Sequence, residues 1–294
     1  MNRGAKSQGR RIAAALTVVV ALASGLTAAG VAEAASTLET VRESGTLKLG
    51  VRDDAPPFSF LDENGQPQGY SVSLCEAVGG IVGSSLGLDN LAVAFVPVTA
   101  ENRFAALADG RIDLLCGATT VTLERRAKVD FSLQTFVTGA SVLYRSDGPA
   151  NFAALAGRRV GVRAGTTTDD GLRRALSEAG IEAEVVAIGS HDAAREALEA
   201  GEIAAYFADR AILVMLARQA KNPEQLVLAK RFFSFEPYAL AMRRGDPDFR
   251  LLVDRALVRL YRGKAIVRIY EDSFGQARMS DLLRAMFTLQ SLPD

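Results

Sequence analysis

An α/β fold of two lobes, each a mainly parallel sheet flanked by helices and the pair joined by a two-strand hinge, follows from three features of this 294-residue chain. Apolar runs of strand length alternate with amphipathic runs of helix length, the order that builds parallel sheets. The alternation occurs twice, giving two similar units. Each unit ends in an extended segment that leaves it, so two strands pass between the lobes.

In the first unit, residues 47–52, 91–96 and 112–116 read as strands, separated by helical stretches near 70–85 and 101–108. The second unit repeats the pattern, with strands at 159–162, 184–188 and 204–207 and helices near 168–179, 192–200 and 210–219. Residues 136–144 are extended and leave the first unit; residues 236–242 are extended and leave the second. A helical region, about 248–289, closes the chain. If it packs on the first lobe, two crossing strands lie side by side and make a hinge. The expected organisation is therefore a first lobe from residues 35–137 and 238–294, and a second from 138–237.

Residues 1–34 have a different role. Arg3, Lys6, Arg10 and Arg11 precede an almost purely apolar run over 12–22, and Ala32-Glu33-Ala34 supplies a small-x-small cleavage pattern. A secretory signal peptide cut after Ala34 is expected. The alternative is a membrane anchor, since residues 12–32 are just long enough to span a bilayer, but Gly25 and Gly30 interrupt them. A twin-arginine route through Arg10-Arg11 is a weak match. With no Cys near the cleavage site, no lipid anchor is expected, and a diffusible exported protein is best retained in a periplasm. Losing four of 34 basic and one of 34 acidic residues leaves a net charge of −3, which gives no reason to expect nucleic acid. The chain is 49% hydrophobic, enough for one large or two modest cores.

Ligands of open parallel sheets bind beyond the carboxyl ends of the strands, where loops and helix N-termini converge. In the first unit those loops carry Arg52 in "GVRDDAPPF", Arg103 in "TAENRF", and Thr119, Thr120 and Arg125 in "CGATTVTLERR". In the second they carry "RAGTTTDD" at a helix start, His191 in "IGSHDAA" and Asp209 in "YFADRAI". Taken singly each has a plain explanation: a solvated surface arginine, a capped helix at Thr166–Thr168, a histidine beside an N-cap. Jointly they describe a ligand. Three guanidiniums and a helix N-terminus call for more than one anionic group, and Asp209 calls for a cation. A small zwitterion with a further carboxylate, an acidic amino acid, meets these demands. No nucleophile paired with a base, no metal-ligand cluster and no phosphate loop is present in the sequence, so neither cofactor nor metal is expected.

The chain resembles the family 3 solute-binding proteins of polar amino-acid ABC transporters, which have the type II periplasmic binding protein fold, and within them the glutamate/aspartate-binding branch. The resemblance runs from about Leu38 to Phe274 and is carried by "GVRDDAPPFSF", "GYSVSLC", "ENRFAALADGRIDLLCGATTVTLERR", "VDFS", "GRRVGVRAGTTT" and "EAGEIAAYFAD". It implies that Arg125 and the Thr120 hydroxyl hold the α-carboxylate, helped by Thr167. It further implies that Asp209 and the Ala118 carbonyl take the α-ammonium, while Arg52, Arg103 and His191 grip the distal carboxylate. Ala100 and Ala118 depart from that branch, which usually places Ser there, at a loss of about 1 kcal/mol per missing hydrogen bond. Near Ala55 there is none of the stacking aromatics used by relatives that take neutral or basic amino acids, and Phe58 reads as packing. Glutamine and asparagine stay open as ligands beside glutamate and aspartate.

The implied activity is ligand capture by lobe closure and delivery to the membrane permease of an ABC importer, by a monomer that is not an enzyme. Two other readings are a dehydratase-like enzyme on the same fold, using His191 or Asp209 as general acid or base, and a sensory ligand carrier. Cys75 lies early in the first helix and Cys116 ends a strand expected beside the first, so they form either a disulfide or two buried thiols.

Overall fold

The computed structural model describes residues 36–293, and the expected signal peptide lies outside them. The first described element is α1 (Thr37–Ser44), where Ser36 and Glu39 form a reciprocal capping box. The first sheet runs β5 (Ala92–Pro97), β1 (Thr46–Val51), β6 (Leu114–Cys116), β13 (Glu236–Arg243), β7 (Val129–Thr138). β1 is parallel to β5 and β6, and β13 is antiparallel to both of its neighbours. The second sheet runs β10 (Glu184–Ile188), β9 (Arg159–Arg163), β11 (Ala205–Asp209), β8 (Ala140–Arg145), β12 (Leu226–Leu228), with β9 parallel to β10 and β11. β2 (Asp54–Ala55), β3 (Ser59–Leu61) and β4 (Pro67–Gln68) form a small antiparallel sheet beyond the end of β1.

The extended segment expected over 136–144 is two strands in different sheets, separated by Gly139. The physical reason lies in the second crossing segment. A Cβ at Gly139 would collide with the Ser234 carbonyl oxygen, so only glycine lets the two segments lie this close. They are stitched by Ala140 N to Ser234 Oγ at 3.0 Å and Phe233 N to Ala140 O at 2.9 Å. The helix expected from residue 101 starts instead as α3 (Arg103–Ala108), because Asn102 Oδ1 accepts from Thr99 N at 2.9 Å and holds a turn ahead of it.

The C-terminal helical region is three helices, α8 (Pro247–Arg262), α9 (Ala265–Phe274) and α10 (Asp281–Leu289), with Gly263 and Gly275 at the first two C-caps. They dock on the first lobe. Asp254 accepts from Leu133 N at 2.7 Å, and Gln290 accepts from Gln134 N at 2.6 Å, both on β7. Beneath the crossing strands sits an aromatic knot. Phe58 meets Phe136 at 4.9 Å and Tyr238 at 5.0 Å, edge to face, while Phe136 and Phe274 stack at 5.2 Å. Among the described residues, no helix is long and apolar enough to cross a membrane.

The long α2 (Tyr70–Leu86) follows Gly69, whose φ of 117° and contact with the Phe58 backbone exclude a side chain. Cys75 on this helix is bonded to Cys116 at the end of β6, with Cα atoms 6.1 Å apart. The bond closes a loop of 41 residues, for which chain entropy gives about 3–4 kcal/mol of stabilisation. Reduction is therefore expected to lower the urea midpoint by a corresponding amount. An unchanged midpoint after verified loss of the bond contradicts this account.

Candidate ligand-binding site

The carboxyl ends of β1, β6, β9 and β11 bring charged and hydroxyl side chains from both lobes together, and almost all are withdrawn from water. Arg52 follows β1 and is 2% exposed. Its Nε donates to Asp54 Oδ1 at 2.8 Å and its Nη2 donates to the same oxygen. The other oxygen, Asp54 Oδ2, accepts from Arg163 Nε at 2.9 Å, and Arg163 ends β9 in the opposite lobe. Arg163 Nη1 continues to Glu101 Oε1 at 2.5 Å. Burial raises the Asp54 carboxyl pKa, but Arg52 and the hydrogen bond from Arg163 outweigh it and hold the group below its ordinary value.

Arg103 opens α3 and is 1% exposed. It donates to the Ala100 carbonyl and, across the cleft, to Gly165 O at 3.3 Å, while its Nε has no partner. Burial, reinforced by the like charges of Arg52 and Arg125, pushes its pKa well down. The Phe104 ring takes the guanidiniums of Arg103 and Arg125 at 4.8 and 5.4 Å. Arg125 lies on the short α4 (Leu123–Arg126), capped by Thr122, and its Nη1 donates to Thr120 O at 2.9 Å; Arg126 is exposed.

Glu236, at the start of β13, gathers hydroxyls from three segments. Thr120 donates to Oε2 at 2.6 Å from the first lobe, and Thr167 to the same oxygen at 2.9 Å from the start of α5 (Thr167–Glu178). Ser234 donates to Oε1 at 2.5 Å from the crossing segment. Thr120 and Thr167 hydroxyls are 3.3 Å apart, so these two residues from different lobes do meet.

Asp209 ends β11 and stands at the N-cap position of α7 (Arg210–Gln219) without a side-chain capping bond. Its Oδ2 accepts from the Tyr238 hydroxyl at 2.5 Å, and its Oδ1 has no partner. Burial and the negative charge of Glu236 push its carboxyl up to about 7. His191, at the first position of α6 (His191–Glu199), shares a 2.7 Å hydrogen bond between Nδ1 and the Tyr206 hydroxyl. Burial and the charge of Arg52 push its pKa down to about 3, so the ring is neutral and contributes hydrogen bonding rather than charge.

Among the described residues, four buried polar side-chain atoms lack a partner, and three of them are here: Arg103 Nε, Thr119 Oγ1 and Asp209 Oδ1. Buried polar atoms are otherwise almost always satisfied, so a donor, a hydroxyl and a carboxylate oxygen left open at the strand ends mark these ends as the candidate site. A cavity of about 680 Å³ is lined in part by Ala100, Phe104, Thr120, Arg125, Thr167 and Glu236, among them the chain neighbours of Arg103 and Thr119. Half-buried Ala118 lies between Cys116 and the two threonines, where its side chain offers no hydrogen bond. Among the described residues, no group of three or more His, Cys, Asp or Glu side chains could hold a metal ion.

Sequence reasoning placed Arg52, Arg103, Thr120, Arg125, Thr167, His191 and Asp209 at strand ends but passed over Asp54, Arg163, Glu101 and Glu236. The signals were present as an acid two residues after Arg52, an arginine heading "RAGTTTDD" and an acid at the start of an otherwise apolar crossing strand.

Comparison with known proteins points the same way. The chain is 34% identical over 269 residues to an L-glutamate/L-aspartate-binding protein of Pseudomonas aeruginosa, covering 90% of this chain and 89% of that one. It is 31% identical to a glutamate/aspartate import solute-binding protein of Escherichia coli, covering 83% and 82%. The crystal structure of the ancestral amino acid-binding protein AncCDT-1, described as a precursor of cyclohexadienyl dehydratase, superposes with a TM-score of 0.71 at 28% identity, over 81% of this chain and all of that one. Residues 47–276, a span that takes in the cleft and both crossing segments, match the bacterial extracellular solute-binding proteins, family 3, and the chain belongs to this family.

Proposed function

We propose that this chain is the amino-acid-binding component of an ABC importer. It is exported to the periplasm, loses its signal peptide by cleavage after Ala34, acts as a monomer without a lipid anchor, and delivers its ligand to a membrane permease. The ligand is an acidic amino acid, glutamate or aspartate, or the corresponding amide. The first lobe comprises residues 35–137 and 238–294 and the second residues 138–237, with the boundary residues Thr138 and Glu236 paired in β7 and β13 of the first sheet, and closure about the crossing strands at Gly139 and Ser234 encloses the ligand.

The observation that carries this reading is the set of unpaired atoms. Asp209 Oδ1 is an open acceptor for an α-ammonium, and Arg103 Nε and Thr119 Oγ1 can donate to an anionic or carbonyl oxygen. The α-carboxylate is assigned to Arg125 with the hydroxyls of Thr120 and Thr167. In the closed cleft those hydroxyls rest on Glu236, so an incoming carboxylate shares or displaces that contact. The Ala118 carbonyl completes the ammonium site, and Arg52, Arg103 and His191 border the side chain.

The ancestral neighbour associated with a dehydratase keeps an enzymatic reading in view, since a carboxyl near 7 also suits a general acid. Binding accounts for it more simply. The carboxyl is raised because it is buried without the cation it is built to hold, and the neutral His191 is already paired with Tyr206.

Removing the guanidinium should therefore weaken the ligand: Arg125→Ala is expected to reduce amino-acid affinity by roughly tenfold or more in a calorimetric titration. An unaltered isotherm would remove Arg125 from the site. Holding an ammonium requires ionised Asp209, whose ligand-free pKa is about 7, so binding should release a proton and weaken as pH falls. Between pH 8 and pH 6 the affinity is expected to drop by about tenfold. A flat profile over that range contradicts the role of Asp209.

A further inference from the structure

Charge among the hydrogen-bonded groups at the strand ends is balanced once Asp209 is ionised, as holding an ammonium requires. Of these side chains, Arg52, Arg103, Arg125 and Arg163 are cationic, and Asp54, Glu101, Asp209 and Glu236 carry carboxyl groups. A zwitterion with a neutral side chain keeps that balance. A second ligand carboxylate adds one negative charge in a space where unpaired charge is costly.

The balance is struck locally at Asp54. Bidentate grip on a carboxylate uses two N–H groups along one edge of a guanidinium. The Nε and Nη2 of Arg52 form such an edge, and both donate to Asp54 Oδ1. Arg163 spends Nε on Asp54 Oδ2 at 2.9 Å and Nη1 on Glu101 Oε1 at 2.5 Å. Asp54 is 5% exposed and Arg163 is 4% exposed, so water does not dilute the contact between them, whereas Glu101 is half exposed. The arginine read from the sequence as the grip for a distal carboxylate already holds one, and it belongs to the protein. An amide side chain suits these surroundings. Its carbonyl can accept from a free guanidinium N–H such as Arg103 Nε, and its NH2 can donate to a resident carboxylate.

We propose that Asp54 is the specificity-determining residue of the side-chain subsite, a built-in carboxylate that takes the place of the ligand's own and makes the site select glutamine or asparagine over glutamate and aspartate. This selection rests on the amino-acid-capture reading and narrows it. The bridge from Arg52 through Asp54 to Arg163 also joins the lobes, so the same carboxylate supports closure around the neutral ligand. The favourable pull of the two arginines keeps Asp54 ionised, as the role requires.

The test is calorimetric titration of the mature wild-type protein and of Asp54→Asn with L-glutamine, L-asparagine, L-glutamate and L-aspartate. The wild type is expected to bind the better amide at least tenfold more tightly than the better acid, and Asp54→Asn to shrink that ratio by tenfold or more. Asp54→Ser serves if the asparagine variant does not fold, and the wild-type ratio stands without either. A wild type that prefers an acid, or a ratio unmoved in the folded variant, overturns the selection by Asp54 while leaving amino-acid capture intact. Failure of folded wild-type protein to bind any of the four overturns the capture reading and this inference with it.

Discussion

A charge taken out of water must find a partner, and in this protein several of those partners lie across the gap between two sheets. Arg163 reaches Asp54 and Glu101 from the opposite lobe, and Thr167 reaches Glu236. Parting the lobes takes Arg163 from both carboxylates and leaves Asp54 with Arg52 alone, so water must then solvate the exposed charges. The closed arrangement is therefore a mutual neutralisation.

The rest of the fold serves to bring these groups together and allow them to part. Gly139 and Ser234 set the two crossing segments in contact, and the aromatic knot of Phe58, Phe136, Tyr238 and Phe274 anchors their first-lobe ends. Tyr238 links the two tasks, since its ring packs in the knot while its hydroxyl donates to Asp209 in the second lobe. A rotation of the lobes is thus coupled to the electrostatic state of the site. The C-terminal helices, fastened to β7 through Asp254 and Gln290, keep one side of that movement rigid.

Much of the architecture was legible because it is written in local patterns. The strand at Glu184–Ile188 and the helix at Arg210–Gln219 fall where periodicity placed them, and the ends of the neighbouring strands differ by a residue or two. The interruption at Gly139 was hidden, since a glycine in an extended run shows nothing of the carbonyl packed against it. The site divides in the same way. Arg52 and Asp209 could be found because strand ends are recognisable, but their partners could not: Asp54 and Arg163 are 109 residues apart, and Thr120 and Glu236 are 116. No spacing rule encodes such pairs. An arginine at a strand end therefore reads as a ligand contact until the fold reveals the carboxylate it already holds.

Thermal unfolding of the mature protein against a panel of the common amino acids asks whether the cleft encloses a single free amino acid of the acidic or amide class. A ligand that binds only the folded, closed form stabilises it by mass action. The account predicts a rise in melting temperature with at least one of glutamate, aspartate, glutamine and asparagine, and none with the large aromatic or basic amino acids. No response to any of the four, or stabilisation by arginine or lysine instead, would contradict it.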